Sequence, residues 1–194
     1  MYAGRQLTCL VVALALGLAP LGGPARAEQI LFDSFELPDV TGDTSTLPTG
    51  WTGTAGLSDY SGFDGDQAAG FHRAKYLETT TAILDTNLVA DTAYVLTFKA
   101  SNATGHNPDR WTVKAELWAG SNLVLTAERI PPDIQAVVSN SVRVSAGAPG
   151  IGEALKVCLE TVQYQNHSGA TYYFDDLKLH ALLPPPRGMV LILF

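Results

Sequence analysis

An all-β, two-sheet antiparallel β-sandwich is the fold class this sequence predicts. Three observations predict it. Apolar and polar residues alternate with period two in several stretches between Ile30 and Ala181, no helical period is sustained there, and turn-forming clusters recur at short intervals. The chain holds 18 Gly and 11 Pro, enough to supply those turns. Roughly eight or nine short strands with such frequent turns fit two packed sheets.

The elements follow in chain order. Residues Met1 to Ala27 read as an export signal: Arg5 supplies the positive start, Leu7 to Leu21 the apolar stretch, and Ala25-Arg26-Ala27 the small-x-small cleavage pattern. The domain then runs from Glu28 to Ala181. It opens on the apolar strand around Ile30-Leu31-Phe32, and the segment from Pro38 to Gly70, rich in Gly, Thr, Ser and Asp, reads as one long loop. Thr79 to Leu84 is a strand candidate. Tyr94, Leu96, Phe98 and Ala100 share one strand face. Trp111, Val113, Ala115 and Leu117 share another, which sends Thr112, Lys114, Glu116 and Trp118 to the opposite side. Asn122 to Ala127, then Val142 with Val144, continue the series. Leu155, Val157 and Leu159 alternate with Lys156 and Glu160. Turns fall at Gly105-His106-Asn107-Pro108, Ala119-Gly120-Ser121-Asn122, Ile130-Pro131-Pro132-Asp133 and Gly147-Ala148-Pro149-Gly150. Leu182-Leu183-Pro184-Pro185-Pro186 ends the pattern, because proline cannot donate to a ladder. The tail that follows ends in six apolar residues, too few to span a bilayer.

Charge and cysteine usage narrow the function classes. Of 194 residues, removal of 27 leaves 167, a single domain's worth. The whole chain has 12 Lys+Arg and 19 Asp+Glu; without Arg5 and Arg26 the count is 10 against 19, a net charge of −9. That balance argues against nucleic acid and anionic membrane surfaces, which require a basic face. No integral membrane segment remains once the signal is removed, and the expected location is extracellular or in the cell envelope. Cleavage leaves Cys158 as the one cysteine, so no internal disulfide can form, and its place in an alternating strand reads as a buried thiol.

Three segments carry chemistry. Asp33 and Glu36 flank apolar residues at the start of the domain, Phe63-Asp64-Gly65-Asp66-Gln67 is a carboxylate-rich turn, and Tyr172 to Leu179 holds the pair Asp175-Asp176. Strict alternation puts Tyr173, Asp175, Leu177 and Leu179 on one face, hence Asp175 on the core side; a β-bulge at the aspartate pair would change which of the two faces inward. A carboxylate there needs a partner, a proton or a cation. Calcium, bound by oxygen ligands, meets that need; the plainer alternative is a strand-end aspartate accepting backbone hydrogen bonds. His72, His106, His167 and His180 are scattered and form no zinc motif. Neither a nucleophile elbow nor a phosphate loop is present in the sequence.

With these segments placed, the chain resembles a known group of exported jelly-roll proteins. Ser34-Phe35-Glu36-Leu37-Pro38 followed by Pro48-Thr49-Gly50-Trp51 resembles their opening, Asp64-Gly65-Asp66-Gln67-Ala68-Ala69 a turn motif, Asp91 to Phe98 a strand motif, and Phe174-Asp175-Asp176-Leu177-Lys178-Leu179 the final strand. The group includes PEP-CTERM sorting-signal proteins, carbohydrate-binding modules and the Stig cyclases of hapalindole-type alkaloid synthesis. Pro184-Pro185-Pro186 and the short apolar end match only part of a sorting tail, lacking its glutamate and basic cluster. The resemblance implies a galactose-binding-like jelly roll with a structural calcium held by Glu36 and Asp175, with the Asp64 turn nearby supplying side-chain or carbonyl oxygens.

Three functions are then expected candidates. A non-catalytic module would bind glycan or another small extracellular ligand through aromatic side chains, with Trp51, Tyr60, Trp118 and Tyr164 as the candidates. A cyclase would use Asp175 as acid within a pocket lined by Phe71, Tyr76, Trp111 and Tyr173. A structural envelope or matrix protein would need no small ligand.

Overall fold

The computed structural model describes residues 26–42, 45–59, 63, 65, 67–71, 77–102, 111–129, 136–163 and 171–184. They lie within one compact unit, Ala25–Pro184, and form eleven strands. These are β1 (Arg26–Asp33), β2 (Trp51–Gly53), β3 (Gly56–Asp59), β4 (Gln67–Phe71), β5 (Leu77–Asn87), β6 (Ala93–Asn102), β7 (Trp111–Ala119), β8 (Asn122–Arg129), β9 (Ala136–Arg143), β10 (Ala154–Gln163) and β11 (Tyr172–Leu183). One sheet has the order β3-β4-β11-β6-β9, with β1 also pairing β11; the other has the order β2-β5-β10-β7-β8. Every pairing is antiparallel. The fold is the jelly-roll-like sandwich expected from the alternation. No helix among the described residues is long and apolar enough to cross a membrane.

The core lies between the sheets. Leu96, Phe98 and Ala100 of β6 meet Val113, Ala115 and Leu117 of β7 and Leu155, Val157 and Leu159 of β10, all fully buried. Their alternation leaves the polar partners of each strand outside, so burial of one face fixes the register. Phe174 packs its ring 5.5 Å from Phe71 and 5.3 Å from Phe98, the spacing of favourable aromatic pairs. The turn into β6 is closed by the Tyr94 hydroxyl, which accepts a 2.9 Å bond from the Val89 N–H.

The segment from Pro38 to Gly70 is not one loop. It contains β2, β3 and most of β4, because Leu57 and Ala69 supply inward apolar residues within its polar surroundings. At the ends, Arg26 pairs with Leu183 and Ala27 with Leu182, so the β1–β11 ladder runs past both expected boundaries of the domain.

Strand β11 organises the six-stranded sheet. One edge pairs β6 along most of its length. Its other edge is shared: Tyr172, Phe174 and the residue between them pair β4, whereas Leu177 to Leu183 pair β1. The register on the β6 side shifts between Asp175 and Lys178, and Asp176 adopts the left-handed conformation with φ 53°. This bulge lies where β4 gives way to β1.

Candidate functional site

The bulge decides where Asp175 points. Phe174 stands opposite Ala100 and Leu179 opposite Leu96, so both face the core; Asp175 stands opposite Lys99, on the outer face. The expectation that Asp175 shares the core face with Leu177 and Leu179 is therefore corrected. An extra residue in the strand flips the alternation between them. Asp175 is nevertheless only 3% exposed, because other parts of the chain cover that face. Tyr173, on the same side, joins Phe63 and Ala68 in a small apolar cluster separate from the main core.

The exit of β1 borders the same gap. Asp33 ends the strand, and its Oδ1 accepts a 2.8 Å bond from the Phe35 N–H. Phe35 takes φ 56°, which turns the chain so that its ring enters the core and Glu36 follows on the outside. Gln67, 3% exposed at the start of β4, ties this exit down: its Nε2 donates 2.9 Å to the Glu36 carbonyl and its Oε1 accepts 2.8 Å from the Val40 N–H. A Cβ on Gly65 would collide with Glu36 Oε1, so the carboxylate lies directly against that glycine. The sequence marked Gln67 only as part of a polar turn; nothing local distinguishes a bridging amide from a solvated one.

Burial pushes the Asp175 carboxyl up to about 6. The Asp176 N–H, donating 2.6 Å to Oδ1, opposes this; the negative charges of Asp176 and Glu36 add to the rise, and Lys99 offsets part of it. Asp176 behaves oppositely. Burial would raise its carboxyl, but Lys178 at 2.9 Å and Lys99 at 3.3 Å hold it below the ordinary carboxylate range. The neighbouring aspartates are thus separated by environment, one favouring a proton and the other a charge.

Glu36 and Asp175 fit a hard cation in donor type: two oxygen ligands whose like charges destabilise each other. Among the described residues no group of three potential metal ligands is present. Asp64, expected beside them, lies outside the described residues.

A second polar arrangement covers the outer face of the five-stranded sheet. Lys156 pairs with Trp118 and Glu160 with Lys114 across β10 and β7. Glu116 accepts from Lys114 Nζ at 3.0 Å and from Trp118 Nε1 at 2.9 Å, and Lys114 also pairs with Glu160. The Lys156 ammonium sits 5.4 Å from the centroid of the half-buried Trp118 ring. Trp118 lies on the outer face, as its alternation with Leu117 predicts, but it is held at its edge and covered on a face, so it is half-buried rather than exposed. Ile83, 78% exposed, extends this surface across β5. Cys158 is on the same face and half-buried, its Sγ 3.5 Å from Thr81 Oγ1; the alternation that buries Val157 and Leu159 turns it outward, against the expectation of a buried thiol.

The other expected site residues divide. Trp51 is 5% exposed and is not a ligand platform: its ring packs 5.6 Å from Phe35, and its Nε1 donates 2.6 Å to Asp33 Oδ2. Tyr60, Tyr164 and Tyr76 lie outside the described residues, as does the Trp111 side chain. Phe71 belongs to the core between the sheets, whereas Tyr173 faces outward beside Asp175, so the two do not line one pocket.

The family model described as HpiC1 cyclase matches residues 27–180. The chain belongs to the HpiC1-like family. Among solved structures, a Stig cyclase from Fischerella sp. TAU, in complex with (3Z)-3-(1-methyl-2-pyrrolidinylidene)-3H-indole, superposes with a TM-score of 0.64 at 20% identity, covering 80% of this chain and 98% of that one. A xylan-binding domain from Paenibacillus barcinonensis superposes with a TM-score of 0.52 at 15% identity, covering 83% and 98%. At these identities the structures share the fold. No curated protein matches significantly.

Proposed function

We propose that this chain is an exported, calcium-stabilised binding module that takes a glycan or another hydroxyl-rich extracellular ligand on the outer face of its five-stranded sheet. The observation that carries this reading is Trp118, held by Glu116 through its indole N–H and bordered by Lys156. A sugar ring can stack on the indole once Lys156 swings aside. Its hydroxyls then meet the Lys156 ammonium and the carboxylates of Glu116 and Glu160 at the edge. The ring is already oriented, so little side-chain entropy is lost on binding. A glycan-array screen of the wild-type protein and Trp118→Ala tests this. Binding that disappears in the variant while its melting temperature stays within a few degrees supports the reading; a blank array overturns it.

Calcium enters through Glu36 and Asp175. Bound there, it would supply positive charge to two carboxylates that otherwise repel, and would join the exit of β1 to β11. The two residues contribute oxygen ligands, Gln67 fixes the backbone at Glu36, and the cover over Asp175 excludes water.

A second reading is acid catalysis of a terpenoid-indole cyclisation by Asp175. It is favoured by membership of the HpiC1-like family and by a carboxyl that keeps its proton to about pH 6 beside the aromatic Tyr173. Asp175 would give its proton to the substrate and be left as carboxylate. An Asp175 bound to calcium carries no such proton, so the two uses of this residue exclude each other. Incubation of the metal-free protein with a prenylated indole, followed by mass spectrometry and chiral chromatography, separates them. Cyclised product that vanishes in Asp175→Asn supports catalysis.

A further inference from the structure

We propose that the seam between β8 and β9 is a second subsite, taking a further sugar unit of a linear, uncharged oligosaccharide whose first unit stacks on Trp118. This inference rests on the glycan reading above. Strand β8 is the edge of the five-stranded sheet and β9 the edge of the six-stranded sheet, so among the described residues each presents a backbone row without a ladder partner on that side. Between them lies a cleft of about 380 Å³ lined by Thr126, Glu128, Ser139 and Asn140. That volume falls within the usual range of small-molecule sites, about 300–1,000 Å³.

The lining selects the ligand class. Every one of the four side chains is polar, and they offer both donors and acceptors. Asn140 Nδ2 donates 2.7 Å to the Thr126 carbonyl, which ties the two sheet edges together, and the Ser139 hydroxyl lies 2.9 Å from that of Thr97. Glu128 is the single charge among the described lining residues. One carboxylate is too few for a divalent cation and repels an anion. With no aromatic or aliphatic side chain among the described lining residues, the cleft suits a neutral, hydroxyl-bearing group.

The cleft also continues the first site. Trp118 stands beside Leu123 on β8, and Glu116 beside Thr126. The residue that anchors the indole is therefore adjacent to the first residue of the cleft, about 4.8 Å away across one strand spacing. A linear chain leaving the indole can cross β8 along this row and enter the seam without bending around the sheet.

Titration calorimetry with unbranched xylo- and cello-oligosaccharides, from disaccharide to hexasaccharide, tests this. For the wild-type protein the affinity of one series should rise about tenfold or more with length, about 1.4 kcal/mol. Ser139→Trp, which fills the cleft, and Glu128→Ala, which removes an acceptor from an exposed position, should each reduce that rise to about threefold or less. Both should leave disaccharide binding unchanged, whereas Trp118→Ala weakens every length. A wild-type affinity independent of length, or a gain that survives both variants, overturns the second subsite and leaves the Trp118 reading standing. No binding of any length by the wild-type protein overturns both.

Discussion

Glu36 raises the proton affinity of Asp175 although the two residues stand at opposite ends of the domain's sequence. They meet because β1 and β4 share one edge of β11, leaving the bulged aspartate pair between them. A carboxyl so placed is either protonated or compensated by a cation, and each alternative has a measurable consequence.

Calcium should raise the melting temperature of the chelator-treated protein. Filling a native-state site at one hundred times its Kd contributes about 2.7 kcal/mol, or roughly 5–10 °C for a domain of this size. Glu36→Gln and Asp175→Asn should each remove most of the shift in differential scanning calorimetry. An equal shift in all three proteins would place the ion elsewhere.

Without metal, stability should fall as pH rises. The folded Asp175 titrates at about 6, above the ordinary 3.8, so its protonated form favours folding. The contribution is fully present below the unfolded value and is lost as pH climbs through about 6. The ionised group then costs about 3 kcal/mol. Asp176 acts in the opposite sense: its stabilisation is present above the unfolded value and lost as pH falls through its depressed folded value. Asp175→Asn should flatten the loss between pH 4 and about 6 in urea titrations of chelated protein. A profile unchanged by that substitution would contradict the burial argument.

Gly65→Ala should separate stability from cation binding. The new methyl would meet the flexible end of Glu36, which can rotate away. The chelated protein should lose about 1 kcal/mol or less. The displaced carboxylate should nonetheless weaken calcium binding about tenfold or more by isothermal titration.

Trp51→Ala should destabilise the fold by about 3–5 kcal/mol, because it empties a core position and leaves Asp33 without its indole donor. At a temperature where the variant remains folded, glycan affinity should be unchanged. A selective loss of binding with normal stability would restore Trp51 as a ligand platform.

The sequence by itself determined the sandwich, because period-two burial and turn residues are local properties of the chain. It likewise directed Trp118 outward, since Leu117 beside it is inward and β7 keeps its alternation there, the register shift between the two placing its extra residue on β8. Only the tertiary structure decided which way Asp175 faces. The left-handed Asp176 adds a residue to one strand of a ladder, and alternation cannot reveal an insertion that depends on where β4 ends and β1 begins. The burial of Trp51 was settled in the same way. Its cover comes from Phe35 and its indole partner is Asp33, residues distant in sequence that are brought to it by the turn out of β1.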